Sequence, residues 1–135
     1  MTPTTTSFFG LILWMLALLG MLAVLRTSLT FAGKRAANAF SPTGDDVSPF
    51  SGRLCRAHAN CYEFLPFVLA VLLYAMLAGQ TMVTDGLALV FLGARIAQSL
   101  THLVSTSVFA VTVRFVFFLI QVVILLYWII KLMGV

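Results

Sequence analysis

Charge is what this sequence has least of. Eight Lys and Arg and four Asp and Glu make 9% of 135 residues, where a soluble domain carries about a quarter. A monomeric water-soluble globule could not cover its surface with so few. Disorder is excluded on the same grounds, since disordered chains are poor in apolar residues and rich in charge. Cysteine is scarce too: Cys55 and Cys61 form no CxxC motif and no disulfide framework. With His58 they stand three residues apart, but each step of three on a helix drifts by about 60°. The outer two therefore point apart, and no metal site is expected. The net charge of +4 comes from basic residues scattered among apolar runs, which gives no phosphate-tracking face and no nucleic-acid partner.

What is present is apolar. The hydrophobic share is 61% and the mean hydropathy +1.09. A membrane-spanning helix needs roughly 20 residues, so four spans with short connections fill the chain as one all-α integral membrane domain. The runs place these spans at about 7–33, 53–79, 86–104 and 108–132, with a polar loop over 34–52. The first run is longer than a signal-peptide core, and no Lys or Arg precedes it, so it is read as a retained span continuing towards Lys34 and Arg35. Pro42, Gly44, Asp45, Asp46, Pro49 and Gly52 give the first loop its turn chemistry. Gln80 to Asp85 reads as a short connection, with Asp85 as the N-cap of the third span. Arg26, Lys34, Arg35, Arg53 and Arg56 flank the first loop, and Arg114 lies near the third connection. The positive-inside rule then puts loops one and three in the cytoplasm, in a bacterial inner membrane or a eukaryotic internal one. Lys131 alone votes otherwise, and a single lysine can snorkel.

Ionisable groups inside spans are costly and mark pairs, cavities or sites. Arg56, Asn60 and Glu63 fall at i, i+4, i+7, on one helix face. Arg95, Ser99 and His102 repeat that spacing on the third span, with Gln98 alongside. Arg114 opens the fourth span and Gln121 lies inside it. Two polar stripes biased to the cytoplasmic half suggest a polar pocket between helices. Its excess of arginine suits carboxylates, through bidentate hydrogen bonds, while Glu63 suits an amine. From these residues alone three readings stand: an Arg56–Glu63 or Arg95–Glu63 packing ion pair, an ion or solute pathway, and a site for a small anionic ligand.

The string Arg56-Ala57-His58-Ala59-Asn60-Cys61-Tyr62-Glu63-Phe64-Leu65-Pro66 resembles the R-A-x-x-N-x-x-E-x-x-P signature of the MAPEG superfamily, the membrane-associated proteins of eicosanoid and glutathione metabolism. Gly93-Ala94-Arg95-Ile96 is similar to the third-span motif of its microsomal glutathione transferases. Lys34-Arg35 matches the basic cluster closing the family's first span, and Arg114 the arginine opening its fourth. The resemblance implies a four-helix bundle assembled as a homotrimer, with glutathione held between neighbouring subunits near the cytoplasmic face. It gives Arg56, Asn60 and Glu63 the polar ends of the tripeptide, Arg35 a carboxylate, and Arg114 the thiolate. His58 stands where some relatives carry a glutamine, and Gln98 and His102 where some carry tyrosines. Arg95 and His102 complete the candidate glutathione-binding set. The implied activity is a transferase or peroxidase in which glutathione is co-substrate and lipophilic electrophiles or lipid hydroperoxides arrive from the bilayer. Two alternatives remain. One is a protein of this fold that binds glutathione or another small anion without turnover. The other is a small transporter or channel, although four short spans lack the inverted repeats common in transporters.

Overall fold

A computed structural model describes residues 1–135 as four helices: α1 (Pro3–Phe31), α2 (Pro49–Leu77), α3 (Thr81–Val104) and α4 (Val108–Leu132). All four are long and apolar enough to cross a membrane. Three begin on hydroxyl caps. Thr2 Oγ1 accepts from Thr5 N at 3.1 Å, Ser48 Oγ from Ser51 N at 3.0 Å and Ser107 Oγ from Ala110 N at 3.2 Å. Pro3 and Pro49 then occupy the first helical position, where a missing N–H costs nothing. α2 runs through Pro66 unbroken.

The spans differ from the sequence expectation at their ends. α1 stops at Phe31, short of Lys34 and Arg35, because Gly33 takes a φ of +72° and Lys34 N bonds back to Leu29 O at 3.0 Å. That is a Schellman end, and it needs a residue free to adopt left-handed backbone. The first and second helices also begin four residues earlier than hydropathy placed them, since capped polar turns carry no apolar signal.

Asp85 is the larger correction. It lies inside α3, whose N-cap Gln80 makes no side-chain capping bond. Its carboxylate serves another helix: Oδ1 accepts Thr4 N at 3.0 Å and the Thr4 hydroxyl at 2.6 Å, with Thr84 Oγ1 2.6 Å from that hydroxyl. Asp85 thus caps the start of α1 from a neighbouring helix and fixes the α1–α3 register. Asp85→Ala should lower stability by about 1–2 kcal/mol, read as an earlier unfolding midpoint in detergent. Asp85→Asn, which keeps an acceptor, should lose less.

α3 is the hub, packing on α1, α2 and α4, while α1 and α4 do not touch. The main core joins Leu11, Val68, Leu72, Ala88, Phe91, Ile124, Leu125 and Trp128. Through it runs an aromatic stack, Phe64 on Phe91 at 6.0 Å and Phe91 on Trp128 at 5.5 Å. A second cluster, Leu18, Leu54, Ala57 and Cys61, closes the bundle nearer loop one. Only 27 of 135 residues are buried, and long runs of Leu, Val, Ile and Phe face outward. Such a surface is tolerable only against lipid or another subunit.

Candidate functional site

Between the two apolar clusters the bundle holds a polar layer. Arg95, Gln98, Ser99 and His102 on α3 and Gln121 on α4 are all buried. Asn60 on α2 is the point where they converge. Its Oδ1 accepts from Arg95 Nη1 at 2.5 Å and from Gln98 Nε2 at 3.1 Å. Gln98 Oε1 accepts in turn from Gln121 Nε2 at 2.8 Å, and Gln121 also donates to Phe117 O at 2.9 Å. A guanidinium can only donate, which fixes the Asn60 amide with oxygen inward and leaves its two Nδ2 protons without a partner. One ladder therefore ties α4 to α3 to α2 and orients a signature residue.

Arg95 is 1% exposed. Besides Asn60 it has the face of Phe64, 4.9 Å from guanidinium carbon to ring centroid, an arrangement that stabilises a desolvated cation. Its Nη2 is buried without a partner. No carboxylate pairs with it. The only ion pair in the chain is Arg35–Asp46, so neither of the Glu63 packing pairs considered from sequence forms within the protomer. The reason is rotational. Asn60 faces α3, and Glu63, three residues on, is turned about 60° away from that direction. Glu63 and Arg56 are both exposed, and His58 is half-buried; none of the three makes a side-chain hydrogen bond within the protomer.

Towards the loop-one end of the bundle, Arg114 Nη1 lies 2.7 Å from His102 Nδ1. Since arginine only donates, Nδ1 accepts and the ring proton sits on Nε2. Arg53 Nε donates to Leu103 O at 2.8 Å, so the last turn of α3 is tied to α2 and α4 at once. Cys61 Sγ lies 3.2 Å from Ser99 Oγ in the interior.

Loop one (residues 32–48) folds down onto α2. Arg35 pairs with the Asp46 carboxylate, donates to Asp46 O at 2.7 Å and lies over the Phe40 ring. The Ser41 backbone N–H, then the backbone N–H of Asp46 itself and Arg35, hold the Asp46 carboxyl below its ordinary value of 3.8 against a cost of desolvation. A depressed carboxyl keeps its contacts above that value and loses them only as pH falls through the folded-state one, so the clamp is intact at neutral pH. Arg26 donates to Ser41 O at 3.2 Å from the α1 side. Gly44, at φ +71°, packs so closely on α2 that a Cβ there would stand 2.6 Å from Cys55 Sγ. Beside this seam a cavity of about 320 Å³ is lined by Pro42, Thr43, Asp45, Cys55, Arg56 and Ala59.

The structure thus joins Asn60 to Arg95 and His102 to Arg114, places Arg56 on a loop-one cavity, and engages Arg35 within the loop itself. The ladder through Gln98 and Gln121 is what the sequence reading lacked. Its one available signal was spacing, because Gln121 stands seven residues after Arg114 and so shares its helix face.

A family model described as the MAPEG family matches residues 4–134, nearly the whole chain. Neither the comparison with curated proteins nor that with solved structures returned a match.

Proposed function

The chain belongs to the MAPEG family, and on that premise we propose that it is a membrane-bound glutathione transferase or peroxidase acting on lipophilic co-substrates. The family places it among the membrane proteins of glutathione and eicosanoid metabolism. The observation that carries the finer reading is the state of the α2 stripe. Arg56 and Glu63 have no partner in the protomer, and Asn60 has both Nδ2 protons available beside them. A cation, an anion and a neutral double donor on one face complement a peptide bearing carboxylates and one ammonium group.

In this reading Arg56 and the Asn60 amide take the carboxylate and carbonyl oxygens of glutathione, and Glu63 takes its ammonium. His58 and Arg35 approach from the loop-one side. Arg95 acts through Asn60, whose amide it orients. Arg114 supplies the charge that holds the sulfur as thiolate; a free thiol with pKa about 8.5 is otherwise mostly protonated at neutral pH. The thiolate sulfur then forms a bond to an electrophilic carbon while the leaving group departs with its electron pair. With a hydroperoxide, two glutathiones give up two electrons and two protons, yielding the disulfide, an alcohol and water.

The functional unit in this proposal is a homotrimer. Arg56 and Glu63 are exposed on a span of the isolated protomer, and charged groups at membrane depth cost several kcal/mol unless covered. A neighbouring subunit against α2 covers them and completes the site. Loops one and three, with the basic residues in loop one and Arg114 in the helix after loop three, face the cytoplasm.

The test is a glutathione titration of detergent-purified protein, following binding heat and thiolate ultraviolet absorbance together. Wild type should give both. Glu63→Gln should lose at least about tenfold in affinity, since it removes a charge-assisted contact. Heat without thiolate would make this a binding protein, and no heat at all would sink the reading.

A further inference from the structure

Arg114 sits in the second turn of α4, at the depth where a long arginine side chain ordinarily reaches out to lipid headgroups. Something must hold it within the bundle if its charge is to act on a bound ligand. Its side chain has one hydrogen-bond partner in the chain, His102 Nδ1 at 2.7 Å. His102 is buried at the end of α3, and that end is itself fixed by the Arg53 bond to Leu103 O. The ring is thus a rigid acceptor on the hub helix.

We propose that His102 is the positioning residue for Arg114, keeping its guanidinium on the pocket side of α4 instead of the headgroup side. This rests on the reading of Arg114 given above.

The chemistry of the acceptor supports the assignment. A carboxylate at this position would neutralise Arg114 and remove the field that a thiolate needs. A neutral imidazole nitrogen accepts a hydrogen bond from one of the five guanidinium N–H groups and leaves the full positive charge in place. The charged groups around the ring are Arg114 on α4, Arg95 on α3 and Arg56 on α2, and the only ion pair in the chain lies in loop one. No carboxylate of the protomer therefore competes for Arg114. Sequence alone groups His102 with the glutathione contacts. In this assignment its Nδ1 lone pair is directed at Arg114, so the ring acts through another residue.

The experiment uses glutathione with the intact detergent-purified protein and compares wild type, His102→Leu, His102→Asn, His102→Gln, Arg114→Ala and the His102→Leu/Arg114→Ala double variant. Asn places its amide oxygen near the position of Nδ1, while Gln places it near Nε2. His102→Leu should keep its binding heat but lose about tenfold in thiolate signal at neutral pH, the size of effect expected from one displaced cation. His102→Asn should recover most of that signal and His102→Gln should not. The double variant should be no worse than Arg114→Ala alone, because both changes remove the same contribution.

If His102→Leu loses heat and thiolate in parallel, or its loss multiplies with that of Arg114→Ala, the ring contacts ligand and the proposal falls. If Gln rescues and Asn does not, the Nε2 side of the ring is the working one and the proposal falls equally. Should the leucine variant not assemble, the Asn–Gln order alone decides. Absence of thiolate in wild type removes the functional reading, and this assignment with it. A His102→Leu variant indistinguishable from wild type removes the assignment alone.

Discussion

Arg114→Ala is expected to slow glutathione conjugation of an aryl halide by about ten- to a hundredfold at neutral pH, and by little once pH exceeds about 9. The sign follows from the thiol. A guanidinium within a few ångströms favours the charged form and depresses a neighbouring thiol pKa by about one to three units. Removing it returns the bound sulfur to its free range near 8.5. The acid limb of the pH–rate profile therefore moves up by one unit or more, and the loss is largest where the mutant sulfur is protonated and the wild-type sulfur is not. The defect should fall on kcat more than on KM, because in the proposed site Arg56, Asn60 and Glu63 still hold the peptide. Arg114→Lys keeps a charge and one donor for His102, so it should lie between the two. An acid limb that does not move would show that the sulfur is ionised by another group, and Arg114 would then be an interfacial anchor of α4.

Much of this architecture is legible in the sequence, and the part that is not has a physical cause. Four spans follow from apolar run length, and α4 falls at the residues that hydropathy assigns. The two polar stripes follow from the i, i+4, i+7 spacing of Arg56, Asn60, Glu63 and of Arg95, Ser99, His102. Spacing tells which residues share a face but not how far each helix is rotated about its axis. That rotation decides whether Arg95 meets Glu63 or Asn60, and it brings Asn60 inward while Glu63 stays outside. Asp85 shows the same limit. An acid beside a glycine before an apolar run looks like the cap of its own helix, yet it caps α1, more than eighty residues away in sequence. Gln121 reads as an isolated polar residue until Gln98 is placed opposite it. Loop one reads as a polar surface segment, but Gly44, Arg26 and the Arg35–Asp46 pair give it a defined seat on α2.

The polar layer has consequences for stability as well as chemistry. Arg95 is a cation with almost no exposure, no carboxylate and one unpartnered nitrogen. Burying such a charge costs several kcal/mol, offset only by its hydrogen bond and by the Phe64 face. Asn60→Leu removes that hydrogen bond and also leaves Gln98 Nε2 without its acceptor. The expected loss is about 2–4 kcal/mol, seen as a large drop in the detergent unfolding midpoint, and glutathione binding should be lost with it. Adding Arg95→Met to the same chain should restore most of the stability, because a buried charge has been exchanged for an apolar chain of similar length. It should not restore binding, since the Asn60 amide is still absent. That split separates the observed duty of Asn60, as counterpart of a buried arginine, from its proposed one as donor to a ligand. If Asn60→Leu costs under about 1 kcal/mol, below the usual loss for a charged hydrogen bond, Arg95 has a second acceptor. Its open Nη2 would then mark where a group from a neighbouring subunit enters the bundle.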